Sequence, residues 1–176
     1  MQMIRKTSSP ENMALAVFIC AAIGVYSCTD TQEQKSGNGG VNNGLIFPKG
    51  EKITNINFKG TAYLKMLIEA DSVNPIGVGN VTFEPGARTK WHSHPAGQIL
   101  LVIDGVGYYQ KKGQSKKILR KGDVIKCPPD IPHWHGASAD HTFVQVAVTN
   151  NHLGPAVWLE EVTDEEYNAG VIPSSI

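Results

Sequence analysis

Residues 86–105 read GARTKWHSHPAGQILLVIDG. His92 and His94 flank a single serine. A strand has a period of two, so a His-x-His pair on a strand points both rings to one side. Gln98 to Ile103 is almost continuously apolar and closes on Asp104-Gly105, the pattern of a strand running into a hairpin turn. Residues 122–137 read GDVIKCPPDIPHWHGA and carry a second pair, His133 and His135. Pro128-Pro129 cannot continue a central strand, so this pair also follows a turn. Two such pairs converging inside a barrel would make a metal site. Imidazole suits zinc, copper, iron and nickel, and also manganese where oxygen donors join it.

The flanking sequence predicts more strands. Residues 63–68 and 78–83 are β-type runs, and 106–110 reads as the return strand of the hairpin. Turns are expected at 111–114 and 121–123, and a strand at 124–127. In 143–149, Phe143, Gln145 and Ala147 share one face while Val144, Val146 and Val148 share the other. Residues 157–162 read as a last strand. Thr163 with Glu166 three residues on is a capping-box pattern for a short helix. Many short strands, with 18 glycines and 10 prolines to turn them, give an all-β barrel or sandwich.

The spacing Gly86, five residues, His92-Ser93-His94, three residues, Gln98, six residues, Gly105 resembles the first cupin motif. Gly122, five residues, Pro128 and then His133 resembles the second. Asp130 stands where that family usually has glycine, and Asp tolerates a left-handed turn. Ala137 stands where asparagine is usual. The resemblance spans about residues 60–165. It implies an all-β cupin jelly-roll barrel with a short C-terminal helix, and a metal held by His92, His94, Gln98 and His133. The implied cofactor is a divalent ion, manganese first, with iron, zinc, nickel or cobalt as alternatives. Gln98 replaces the usual glutamate. A neutral amide leaves the full metal charge uncancelled, which favours Lewis-acid chemistry over redox cycling; a barrel that has lost its metal is the competing reading of this position.

Residues 81–98, the His133-Trp134-His135-Gly136-Ala137 stretch and the tail at 162–167 narrow the resemblance. They are similar to the small cupins that include the bacterial manganese-dependent hydroxynitrile lyases. Related sequences occur beside carboxymuconolactone-decarboxylase-like domains. The resemblance implies cleavage of a cyanohydrin such as mandelonitrile at a His3Gln site. Those lyases place a histidine, a candidate base, where this chain has Gln145, and glutamine takes no proton at neutral pH. His135, on the same strand side as His133, is then the candidate catalytic base, with a rim or supporting role as its alternative. Arg88 and Thr89 are placed at the barrel mouth or in an exposed loop. Trp91 and Trp134 are expected to face away from the histidines, Cys127 to be a small buried side chain, and His141 and His152 to be surface residues.

Lys plus Arg and Asp plus Glu are both 16, so the formal charge is zero. That argues against a nucleic-acid partner held by a basic field. Apolar residues at 41% and charged ones at 18% suit a folded domain. Arg5 and Lys6 precede an apolar run at 13–26 that is followed by Ser27-Cys28, the pattern of a bacterial lipoprotein signal. The expected organisation is a signal peptide at 1–27, a flexible tether at 28–44 and a cupin domain at 45–170. Export to the cell envelope with a lipid on Cys28 follows, in the periplasm or at the outer membrane. A homodimer is expected, because such barrels commonly pair.

The leading functional reading is a metal-dependent lyase acting on a small hydroxylated or carbonyl compound. A metal-dependent dioxygenase is the second reading and a non-catalytic ligand-binding lipoprotein the third. Fold alone does not decide among them.

Overall fold

The structure, a computed structural model, describes Gly44 and residues 46–170. The expected signal and nearly all of the tether, Cys28 included, lie outside the described residues. Twelve strands precede one short helix: β1 (Glu51–Lys52), β2 (Phe58–Lys59), β3 (Ala62–Ile68), β4 (Ile76–Phe83), β5 (Arg88–Thr89), β6 (His92–Ser93), β7 (Gln98–Lys111), β8 (Lys117–Arg120), β9 (Val124–Cys127), β10 (His133–Ala137), β11 (Phe143–Asn150), β12 (Val157–Trp158) and α1 (Asp164–Asn168). All pairing is antiparallel, and the sheet curls in the order β1-β3-β4-β11-β7-β10-β5-β2.

The Asp104-Gly105 hairpin does not form. β7 runs unbroken from Gln98 to Lys111. Val102 faces Gln145 and Asp104 faces Val144, so Ile103 is an extra residue without an opposite number. Gly105 has φ 77°, and a Cβ there would lie 2.0 Å from the Thr142 carbonyl oxygen. A positive φ at glycine serves a bulge as readily as a two-residue turn. Here it bends one strand out of one layer and into the next. Before the bend β7 pairs with β11 and β9; beyond it β7 pairs with β10 and β8.

The bend closes a core between the two layers. Phe83, Leu100, Phe143, Tyr109 and Leu119 are almost wholly buried there. Cys127 is 1% exposed and belongs to this core, as expected of it. A second cluster lies on the other face of β10, where Trp91, Trp134, Val162 and Tyr167 pack together. The strand period accounts for the division: Trp91 and Trp134 alternate with the histidines and face the opposite way.

The C-terminal segment covers the tryptophans. Only Val157–Trp158 of the expected last strand is a strand. The capping box closes α1 as expected, with Glu166 N–H donating to Thr163 Oγ1 and Thr163 N–H donating to Glu166 Oε2. Arg88 anchors it, donating to the Val162 carbonyl and to Asp164 and stacking on the Tyr167 ring at 4.4 Å. Arg88 and Thr89 are therefore neither loop nor mouth residues; both are buried, on β5.

Candidate metal centre

Four imidazoles meet inside the barrel. β10 pairs with β6 so that His133 lies directly opposite His92, and their ring centroids are 4.5 Å apart. His135, two residues along β10, lies 5.2 Å from the His92 ring. His94 leaves β6 and places its ring 5.1 Å from His92 and 5.6 Å from His133. All four side chains are buried. Ring nitrogens of His92, His133 and His135 lie within 4.8 Å of one another, a grouping that could hold a metal ion. His94 stands beside this group and is not part of it.

The backbone sets which nitrogens are free. His92 Nδ1 is 2.9 Å from the Lys90 carbonyl oxygen, and His133 Nδ1 is 2.9 Å from that of Ile131. A carbonyl only accepts, so Nδ1 carries the proton in both rings and Nε2 is left bare. That is the tautomer a metal-ligating histidine shows. His135 Nδ1 is 3.0 Å from Gln145 Nε2. The Gln145 side chain is wholly buried.

Gln98 opens β7 and is 8% exposed. Its Nε2 donates to Thr149 Oγ1 at 2.9 Å, and its Oε1 has no partner. His133 Nε2, His135 Nε2 and both His94 nitrogens are also buried without partners. An unpaired buried polar group costs about 1–3 kcal/mol. Buried, unpartnered nitrogens of this kind beside the His92, His133 and His135 group fit a cation, and a donor set of imidazoles and one amide oxygen suits a first-row divalent ion.

Electrostatics agree. Burial, and then the charge His133 would carry, drives the His92 pKa well below the ordinary 6.5. Burial and His133 lower His94 to about 4. His133 is lowered by burial against the pull of the Ile131 carbonyl, and His135 is driven well down by burial and its three histidine neighbours. All four rings are therefore neutral at neutral pH, as metal ligation requires.

Three neighbouring side chains carried no signal in the motif. Tyr109 sits 5.6 Å ring to ring from His133, with its hydroxyl buried and unpartnered. Trp158 lies on His92, ring centroids 4.7 Å apart and 32° from parallel. Thr149 holds the Gln98 amide. Each comes from an element whose partner in space is distant in sequence. His141 and His152 are exposed, as expected.

An inward-curled antiparallel barrel with histidines from two turn-bounded pairs defines a cupin, and a family profile for the cupin domain matches residues 79–149. The (R)-mandelonitrile lyase of Granulicella tundricola is 41% identical over 111 residues, covering 62% of this chain and 85% of that protein. A cupin-like protein of Thermotoga maritima, known from its crystal structure, is 48% identical; the match covers 72% of this chain and 96% of that one, with a TM-score of 0.70. A cupin barrel protein of Rhodopseudomonas palustris shares the fold at 15% identity, covering 66% of this chain and 78% of that one, with a TM-score of 0.54. This chain belongs to the cupin superfamily.

Proposed function

We propose that this chain is a metal-dependent lyase that cleaves a small cyanohydrin-like compound into a carbonyl compound and cyanide. The observation that carries the reading is the grouping of His92, His133 and His135 ring nitrogens within 4.8 Å of one another, in a barrel where the Gln98 oxygen is buried without a partner. The similarity to a mandelonitrile lyase supports the choice of reaction. His92, His94, Gln98 and His133 would hold the ion, manganese first. When bound, the ion supplies Lewis acidity towards the substrate hydroxyl.

The chain's own residues then do the following. His135 takes the hydroxyl proton at Nε2, which requires its other proton on Nδ1 and the Gln145 amide turned so that Oε1, in place of the Nε2 that now lies 3.0 Å away, accepts from Nδ1. The carbon–carbon bond to the nitrile breaks, its electron pair leaves with cyanide, and the hydroxyl oxygen becomes the carbonyl. Cyanide leaves as HCN by taking back the proton from His135. Burial of the four histidines keeps water from competing for that proton.

The close grouping of His92, His133 and His135 favours a second assignment, in which His135 is a ligand and His94 is free to move the proton. One experiment separates them. Metal content and mandelonitrile cleavage are measured together for His94→Ala and His135→Ala. The variant that keeps its metal and loses cleavage has lost the base; the one that loses both has lost a ligand. No metal-dependent benzaldehyde release above the spontaneous rate from wild type would overturn the lyase reading.

Anchoring through Cys28 at the cell envelope is supported by the basic start and apolar run before it. A homodimer is supported by Leu101 and Val124, exposed and directly paired across β7 and β9.

A further inference from the structure

Tyr109 lies on β7 beyond the bend, directly opposite His135 of β10. Residues that face each other across an antiparallel pair share one side of the sheet, so Tyr109 points into the barrel with the histidines. It is 1% exposed, and its ring stands 5.6 Å from that of His133. β7 therefore supplies the centre twice, with Gln98 before the bend and Tyr109 after it. Gln145 approaches His135 from β11, whereas Tyr109 flanks His133 from β7.

The hydroxyl is out of place in a structural role. It is buried and has no hydrogen-bond partner. His133 Nε2 is also without a partner, so the two groups do not bond to each other. A buried hydroxyl left unpaired loses its bonds to water and gains none in exchange. Phenylalanine would fill the same place in the cluster with Leu100 and Leu119 without that cost. Cys127 belongs to this cluster too, but a thiol is a weak donor and a weak acceptor. A phenol is protonated at neutral pH, so Tyr109 holds an O–H donor in reserve.

The complement of a spare donor beside a cation site is a ligand atom that carries negative charge. The lyase reading produces one. As the carbon–carbon bond breaks, its electron pair leaves with cyanide and charge collects on the nitrile group. We propose that the Tyr109 hydroxyl receives the nitrile end of the substrate and donates to it as it departs as cyanide. The proposal rests on the lyase reading for the identity of this ligand. Tyr109 keeps its proton throughout, and cyanide is protonated by His135. A fixed donor aimed where charge develops gains strength along the reaction, so it favours the transition state over the bound substrate.

The test compares full-length wild type with Tyr109→Phe, both loaded with cobalt(II). Each is titrated with azide, a linear anion with a terminal acceptor, and with imidazole, a neutral ligand that needs no donor. The visible cobalt bands report both. Azide should bind Tyr109→Phe about 10-fold or more weakly, the size of a lost hydrogen bond to a charged group. Imidazole affinity and cobalt content should match wild type. The urea midpoint of the chelated variant should rise, because the unpaired hydroxyl is gone. With mandelonitrile the variant should lose kcat while KM changes little. Equal azide affinity in the two proteins would overturn the proposal, and so would equal weakening of azide and imidazole. A lower urea midpoint or lost cobalt would also overturn it, since the hydroxyl would then hold the fold or the ion. If azide behaves as stated but wild type cleaves no mandelonitrile, the lyase reading fails and the donor stands. If wild type cleaves mandelonitrile and Tyr109→Phe keeps both its kcat and its azide affinity, the donor fails and the lyase reading stands.

Discussion

Gln145 and His135 share one buried contact, 3.0 Å between the amide nitrogen and ring Nδ1. The amide can present either end. With Nε2 towards the ring, His135 keeps its proton on Nε2 and can neither bind a cation nor accept a proton there. With Oε1 towards the ring, Nδ1 holds the proton and Nε2 is bare. Gln145 is thus the residue that sets the state of His135.

Gln145→Leu should therefore lower metal-dependent mandelonitrile cleavage by about 10- to 100-fold, the usual cost of removing a partner that orients a histidine. Gln145→His puts a base within reach and should raise cleavage by about 10-fold or more. Benzaldehyde release, corrected for spontaneous decay, measures both. Equal rates for all three proteins would remove Gln145 from the site.

Trp158 lies on His92 at 4.7 Å, while Trp91 and Trp134 pack in the cluster on the opposite face of β10. Cobalt(II) added to the metal-free protein should quench indole emission, and Trp158→Phe should remove most of that quenching. Trp158→Ala should weaken metal binding about 3- to 10-fold, since an aromatic pair is worth about 0.5–1.5 kcal/mol. Quenching that survives in Trp158→Phe would place the ion elsewhere.

The neutral histidines make the chelated protein acid-sensitive. Their folded pKa values lie below the unfolded 6.5, with His94 at about 4. Between those two pH values the unfolded chain binds more protons than the folded one, so stability falls as pH drops through the window. His94 alone contributes about 2 kcal/mol of loss by pH 5. Urea midpoints at pH 7.5 and pH 5 measure it. A midpoint that holds steady or rises at pH 5 would mean the rings are charged in the fold.

Cys28 follows the apolar run at 13–26. Full-length protein made in a bacterial host should partition with membranes, and Cys28→Ser should move it to the soluble fraction or leave it unprocessed. Cleaved, unlipidated, soluble wild-type protein would reject the anchor.

Sequence alone determined the local features. The period of two placed His92 and His133 inward and Trp91 and Trp134 outward, because alternation is a property of any strand. The capping box at Thr163 and Glu166 and the left-handed backbone of Asp130, φ 58°, are likewise local chemistry. Tertiary structure decided whatever depends on a partner distant in sequence. Asp104-Gly105 allows a turn or a bulge, and the choice fell to β9 and β11 on one side of the bend and β8 and β10 on the other. Arg88 was drawn from the mouth by Asp164 and Tyr167. The grouping of His135 with His92 and His133, the Gln145 contact, the Trp158 stack and the place of Tyr109 beside His133 all arise where separate strands meet. No residue pattern along one strand records which strand will lie beside it.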